Sequence, residues 1–192
     1  MTVKKYLIKI CERKEIKTFI ETWHYSKNIN GVISDYSFKL MDKDKIIGAM
    51  IYGRIAMANV WKKYVNSENE LIELRRLCCI DDTPKNTESY FIGYTLRWLK
   101  KNSNIKKVIS YADETYNHSG TIYKASNFKH IGMTNKGKVI VYNNKLYHDK
   151  TIRTKYKGKL KPYCLKIKDA LNTGEAYYKN TLGKHIYIYQ LK

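Results

Sequence analysis

Acidic residues are scarce in this sequence. It has 17 Asp and Glu against 37 Lys and Arg, a formal net charge of +20 over 192 residues. Self-repulsion of this size opposes compaction, so a polyanionic partner is expected, and nucleic acid is the commonest one. A codon bias towards Lys, Asn, Ile and Tyr would produce part of the same excess.

Long apolar runs and cysteine motifs are also missing. No stretch approaches the roughly 18 apolar residues of a membrane-spanning helix, and no long apolar run follows Lys4 and Lys5. None of the four cysteines lies at C-x-x-C spacing, and Cys78 and Cys79 would point to opposite faces of a strand. Neither a zinc ribbon nor a disulfide framework is indicated. We expect a soluble intracellular protein with reduced thiols and no membrane partner.

The sequence does have the features of a folded α/β (α+β) protein. Its hydrophobic fraction is 43%, it has 18 tyrosines, and its length suits one well-packed domain. Apolar periodicity predicts the order β, α, β, β, β, α, β, α, β, β, with hairpins across 42–44 and 135–137 and a final strand that returns to the sheet. The strands are predicted at 3–10, 34–41, 45–53, 70–80, from 108, 128–133, 138–142 and 184–191, and the helices at 12–22, at 87–101 and from 120 or 121.

Polar side chains crowd together directly after the strand that begins at Val108. Asp113, Asn117 and His118 follow within one turn. Ligands of open α/β sheets bind outside the carboxyl ends of strands, so this loop is a candidate site. The alternative is a capped turn in which Asp113 and Asn117 bond nearby amides and His118 is solvated.

The strand at 70–80 carries two adjacent arginines, Arg75 and Arg76, among mostly apolar residues. By alternation one arginine faces each side of the sheet, so one of them should point at an anionic group. A structural ion pair of Arg76 with Glu73 or Asp82 is the alternative.

Residues 150–168 contain eight basic and no acidic residues, with Tyr156 and Tyr163 interleaved. Several lysines on one face release counterions from DNA, and tyrosine can stack on bases or hydrogen-bond. Trp61, in the ambiguous segment 55–69, is a second candidate for base stacking, although an amphipathic loop is the interpretation that we favour for this segment. A solvated basic arm is the alternative for 150–168. The lysines to which we assign DNA contacts are Lys155, Lys157, Lys159 and Lys161.

Three segments together resemble the Mom-type phage DNA-modification proteins of the GNAT-like superfamily. They are Trp23-His24-Tyr25-Ser26, then Glu73-Leu74-Arg75-Arg76-Leu77 with residues 84–89, then Ser110-Tyr111-Ala112-Asp113 with residues 118–125. The resemblance implies a single GNAT-like domain over 1–192, with 143–192 as a basic extension that returns to a mixed central sheet. It also implies a phage enzyme that converts the exocyclic amine of adenine in DNA to a carbamoylmethyl derivative, which hides phage DNA from restriction nucleases in the cytoplasm of the infected bacterium.

The resemblance places the functional positions on His24, Tyr25, Arg76, Ser89, Asp113 and Tyr123. The amine of adenine is a poor nucleophile, so a carboxylate or imidazole must take its proton. Asp113 is our first choice. Tyr25 or Tyr123 would orient the base or donate a proton, and His24 is a second acid/base candidate. Packing is the alternative for Tyr123, and helix capping for His24.

The group donor has its own set of candidate residues. Arg76 would hold an anionic donor group, and Ser89 and Asn86 lie where the free amides of the central helix bind phosphate or carboxylate. A metal ion held by His24, Asp113 or His118 is left open, as is the oligomeric state, a dimer included.

One departure from ordinary GNAT enzymes concerns the turn that binds the pyrophosphate of acyl-CoA. Those enzymes use a glycine-rich turn there, whereas residues 81–87 contain no glycine and two acids, which would repel a pyrophosphate. Acetyl-CoA is therefore a doubtful donor. Two other functions stay open: an N-acyltransferase for a protein or small amine, and a non-enzymatic phage DNA-binding protein.

Overall fold

The computed structural model describes residues 5–192, and this part of the chain has a mixed α/β fold, as predicted. Residues 3 and 4 of the predicted first strand lie outside it. The described elements are β1 Leu7–Cys11, α1 Arg13–Trp23, β2 Tyr36–Asp42, β3 Lys45–Gly53, β4 Leu71–Cys79, α2 Thr87–Asn102, β5 Lys107–Asp113, α3 Thr121–Ala125, β6 Lys129–Met133, β7 Gly137–Tyr142, β8 Lys145–His148, α4 Pro162–Thr173, β9 Tyr177–Thr181 and β10 Lys184–Gln190.

These residues form two compact units. The first, which we call the sheet unit, contains the described residues through Ala112 together with His118–Gly132 and His185–Lys192. The second, the basic unit, contains Asp113–Asn117 and Met133–Lys184. A seven-stranded sheet has the order β1-β2-β3-β4-β5-β10-β6, and a three-stranded sheet has the order β8-β7-β9. The assignment of all 192 residues to one domain stays a prediction.

The large sheet is covered on both faces because its central strands are apolar on both sides. Met50 and Tyr52 of β3 enter one core with Phe91 of α2, and Ile51 enters another with Ile16 of α1. Alternation along β3 produces this division. Strands β4 and β5 run parallel, and the hairpin predicted across 42–44 joins β2 and β3.

Strand β4 contains a β-bulge at Arg75. Ile51 pairs with Arg76 and Tyr52 pairs with Leu74, so Arg75 has no partner in the register of β3. The bulge resets the alternation of side chains: Leu74 and Leu77, three residues apart, contact the same core. The prediction of strict alternation through Arg75 and Arg76 was therefore wrong. Cys78 and Cys79, beyond the bulge, pack in opposite cores as predicted.

The predicted hairpin across 135–137 was wrong, because β6 and β7 lie in different sheets. Thr134, which follows β6, exchanges two hydrogen bonds with Lys184: Thr134 N donates to Lys184 O, and Lys184 N donates to Thr134 Oγ1, each at 2.9 Å. The chain thus continues in extended pairing with the start of β10 for one residue beyond β6.

The segment 150–168 is more structured than a basic arm. It contains the start of α4, whose Cys164, Ile167 and Ala170 are buried at three-residue spacing. Pro162 opens the helix and Gly174 follows its end, both common boundary signals. The density of lysines hid this periodicity. Among the described residues, no helix is long and apolar enough to cross a membrane.

Candidate active site

Three rings lie in contact at the end of α1 in the sheet unit. The Tyr25 ring makes tilted contacts with two imidazoles: its centroid is 4.3 Å from that of His24 at an interplanar angle of 32°, and 4.9 Å from that of His118 at 48°. Helix α1 ends at Trp23, and the chain leaves it in extended conformation at His24. Tyr25 is consequently 42% exposed while His24 is buried. We call these three residues the ring stack.

His24 is neutral, and its contacts fix the position of its proton. Its Nδ1 accepts a hydrogen bond from Ser26 N at 3.1 Å and lies 2.8 Å from Ser26 Oγ. Burial, assisted by the positive charge of Arg76, lowers the pKa of His24 from its ordinary 6.5 to about 3. The proton of the neutral ring is then on Nε2, so this atom is a hydrogen-bond donor. With Nδ1 engaged in this way, the roles of His24 as an acid/base group or metal ligand stay predictions.

The stability of the protein should therefore depend on pH through His24. Between pH 6.5 and about 3 the unfolded chain binds a proton at this ring that the folded chain excludes, so stability falls as pH decreases across that window. We expect thermal denaturation of His24→Gln to show a shallower fall in Tm from pH ~6.5 to ~4.5 than the wild type. His148→Gln, which changes an exposed histidine, serves as the control. Parallel curves for His24→Gln and the wild type would contradict the assignment.

Arg76 fixes the turn that carries the ring stack. Its Nε and Nη2 donate to Asn28 O at 3.3 and 3.4 Å, and its Nη1 donates to Arg75 O at 2.7 Å. Burial lowers the pKa of Arg76, and the nearby Tyr25 opposes that shift. Glu73, one of the two partners that the ion-pair alternative gave to Arg76, forms an ion pair with Arg75 at 3.7 Å. Arg76 thus brings a half-buried positive charge to the side of Tyr25.

Tyr123 is buried in the same unit. Its ring packs 5.6 Å from Phe128 and 5.4 Å from Tyr187, which are the contacts of the packing interpretation. Burial raises the pKa of Tyr123 to about 12; the hydrogen bond with Ser110 lowers it, and Tyr25 contributes to the rise. The phenol is therefore protonated at neutral pH. Tyr123, His24, Tyr25 and Arg76 are thus close enough for their charges to interact: Tyr25 affects the pKa of Tyr123 and of Arg76, and Arg76 affects the pKa of His24.

Glu73 is the carboxylate that we missed as a candidate for the sheet unit. Its side chain is 14% exposed and accepts a hydrogen bond from Ala56 N at 3.3 Å. The charge of Glu73 raises the pKa of both Tyr111 and Tyr123 after the larger effect of burial. The signal in the sequence was a single acidic residue among the apolar residues of the first half of β4. We interpreted this residue only as a partner for arginine.

Asp113 lies in the basic unit and is 8% exposed. Its Oδ1 accepts a hydrogen bond from Thr115 N at 3.1 Å, and its Oδ2 is 2.9 Å from Lys184 Nζ. The contact with Thr115 is the one that the capped-turn alternative requires. The catalytic role of Asp113 stays a prediction.

The residues chosen for donor binding make local contacts. Ser89 Oγ donates to Asn86 O at 3.0 Å, and Asn86 precedes α2 in a left-handed conformation, with φ 71°. Thr87 Oγ1 also donates to a carbonyl, that of Pro84. The hydroxyls at this turn are thus engaged with the backbone, and anion binding here stays a prediction. Within residues 5–192, no three His, Cys, Asp or Glu side chains come together as a metal site.

Two of the predicted DNA-binding lysines lie beside an exposed ring in the basic unit. Tyr156 and Lys159 close a tight turn, with positive φ at Lys157 and Gly158. The Tyr156 ring is 62% exposed, and the Nζ atoms of Lys157 and Lys161 lie 5.8 and 5.4 Å from its centroid. Lys155 is exposed nearby in the sequence.

Trp61 lies in the sheet unit, in a short 3-10 helix, Val60–Lys63. Its ring is half-buried, with Lys62 Nζ 5.6 Å from the centroid. This local cation–π pair fits the amphipathic-loop alternative as well as base stacking.

Comparisons with known proteins identify the family and the fold of the chain. The model of the Mom protein family matches residues 5–192. The methylcarbamoylase mom of Escherichia phage Mu is 29% identical over 147 residues, which cover 74% of this chain and 59% of that protein. The chain thus matches less than two thirds of the length of this relative.

Solved acetyltransferase structures share the fold. An N-acetyltransferase from Staphylococcus aureus Mu50 has a TM-score of 0.54 at 15% identity, with 97% of this chain and 99% of that chain covered. A Bacillus subtilis acetyltransferase in complex with CoA has a TM-score of 0.56 at 11% identity, with 98% and 100% covered. Such low identities establish the fold alone. The chain therefore belongs to the Mom protein family and has the fold of these acetyltransferases.

Proposed function

We propose that this protein is a phage DNA-modifying transferase that places a carbamoylmethyl-type group on the N6 amine of adenine, protecting phage DNA from host restriction. The observation that carries the proposal is the ring stack beside Arg76: an exposed aromatic surface, a neutral donor and a cation in one place. Membership of the Mom family and the net charge of +20 support it.

The chemistry makes specific demands. The N6 lone pair is delocalised into the purine ring, so attack on the methylene carbon of the donor needs removal of a proton. The N–C bond forms, the leaving group of the donor departs with the bonding electron pair, and the proton passes to a base. The donor is a small molecule that carries an activated carbamoylmethyl group.

Residue roles follow from these demands. The exposed face of Tyr25 would stack on the adenine, and the His24 Nε2–H would donate to a ring nitrogen or to the donor's carbonyl. Arg76 would hold an anionic part of the donor, and Tyr123, protonated at neutral pH, would act as a hydrogen-bond donor. Asp113 is the proposed base.

DNA must present the amine outside the duplex stack, because pairing engages it. The basic unit would hold the phosphates through Lys155, Lys157, Lys159 and Lys161, while Tyr156 stacks on a base. A positively charged surface with exposed aromatic rings suits an extruded base or unpaired DNA.

Mass spectrometry of nucleosides from DNA of cells that express the protein tests the proposal. We expect an adenine nucleoside heavier by the mass of a carbamoylmethyl group, absent from cells with empty vector. Tyr25→Ala should lower its yield severely, because stacking positions the base. Unmodified DNA from cells with abundant folded protein would overturn the proposal.

The same preparations separate the two alternatives. Tight acetyl-CoA binding in calorimetry, with indifference to DNA, would identify an N-acyltransferase. DNA affinity that falls steeply with salt, with no modified nucleoside, would identify a protein that only binds DNA.

A further inference from the structure

A cavity in the basic unit has no role in the proposed chemistry. Its volume is about 440 Å³, and α4 contributes Lys168 and Asn172 to its lining. These two residues are four apart and therefore lie on the same face of the helix. Strand β9 contributes Tyr178, and the apolar part of the lining is Ile152, Leu171 and Ala176.

The cavity has the composition of a site for a flat, polar ring. Tyr178 remains 48% exposed, and Lys138 Nζ lies 5.3 Å from the centroid of its ring. Asn172 is exposed and presents an amide, which can both donate and accept hydrogen bonds at a base edge. The volume falls within the range of about 300–1,000 Å³ typical of small-molecule sites.

The segment that forms the cavity is strongly basic, which favours an anionic ligand. Residues 133–184 contain 13 lysines and arginines against three acidic residues, a formal excess of ten positive charges in 52 residues. Half of the net charge of the whole protein is therefore found in this segment. A cationic surface with a pocket for a planar ring fits a polymer that carries both phosphates and bases.

We propose that this cavity binds one unpaired base of single-stranded DNA, stacked on Tyr178, hydrogen-bonded to Asn172 and held at its phosphate by Lys168. The proposal rests on the proposed function in taking DNA as the ligand, and it adds a base-binding site apart from the ring stack. A paired base keeps its faces stacked within the duplex, whereas an unpaired base can place one face on an aromatic ring.

Fluorescence anisotropy with labelled oligonucleotides, in the absence of any donor, tests the site. Loss of one base–aromatic stack costs about five- to 150-fold in affinity. Tyr178→Ala should therefore weaken binding of a single-stranded 12-mer about tenfold, and Tyr178→Phe should preserve it. Neither variant should change the affinity for a 12-mer of abasic sugar-phosphate, which has the charges without the rings.

Asn172→Ala provides a second test that does not disturb the β-sheet, because Asn172 is exposed on a helix. It should weaken binding of the 12-mer severalfold and leave the abasic polymer unaffected. Tyr94→Ala, which changes an exposed tyrosine of the sheet unit, is the matched control and should bind as the wild type does.

Two results would overturn the inference: wild-type affinity in both Tyr178→Ala and Asn172→Ala, or an equal loss on the base-containing and abasic polymers. The anisotropy assay measures binding and involves no group transfer. The proposed transferase activity can therefore be disproved without disproving the base-binding site. Wild-type protein that makes no modified nucleoside but shows the Tyr178 effect would still contain the base site.

Discussion

Replacement of Asp113 by Asn is expected to lower the yield of modified adenine nucleoside about 100-fold or more, because removal of a proton by a positioned base contributes about 10²–10⁴ in rate. The amide is nearly isosteric with the carboxylate. Its oxygen can still accept the hydrogen bond that Oδ1 receives from Thr115 N at 3.1 Å. Asn cannot take the proton of the amine, so the chemical step should fail while the turn is preserved. Mass spectrometry of nucleosides measures the yield.

Lys184→Met separates catalysis from structural support at Asp113. It removes the ion pair with Oδ2, 2.9 Å long, and leaves the carboxylate in place. We expect this variant to retain most of the modification. Equal losses in the two variants would assign Asp113 a structural role, and full modification by Asp113→Asn would exclude it as the base.

Gly120→Ala is expected to lower the free energy of unfolding by about 3 kcal/mol, the sum of backbone strain and overpacking. Gly120 precedes α3 with φ +77°, where a side chain is strained. A Cβ would also lie 2.2 Å from the ring of Tyr187, which is buried and donates its hydroxyl hydrogen to Ser119 O at 2.6 Å. Thermal denaturation should show a fall in Tm of about 10 °C.

Gly31→Ala is the matched control for this prediction. Gly31 has φ +71°, but no atom lies within 4 Å of the position of its Cβ. Its replacement should cost only the strain of the left-handed backbone, about 1 kcal/mol. Similar losses in both variants would mean that Tyr187 moves aside without cost.

Local patterns were sufficient to predict most of the elements of the sheet unit. Ile16 and Ile20 have helical spacing, and β3 has the predicted bounds, because each signal lies within one element. The bulge at Arg75 could not be predicted in this way. It depends on the pairing of β4 with β3, and a one-residue change of register has no signature in composition.

The candidate site was predictable only where the resemblance supplied its residues. His24, Tyr25, Arg76 and Tyr123 do converge, but the neutral state of His24 depends on burial and on Ser26, which the sequence does not reveal. Similarly, the effect of Glu73 on Tyr123 requires that β4 and α3 approach each other in the fold. Sequence patterns report on neighbouring residues, so they could not predict these contacts between residues that are distant in the sequence.

The large sheet cannot be completed until the ribosome has synthesised β10, because β10 lies between β5 and β6. Strand β6 joins the large sheet only as the neighbour of β10, which follows it by about fifty residues in the chain. At about 5–20 residues per second, a ribosome needs roughly 3–10 s to add them. For that interval β5 is an open edge with unpaired backbone groups, which can pair with another chain. Chaperone capture of nascent chains should therefore be greatest between the emergence of β5 and that of β10.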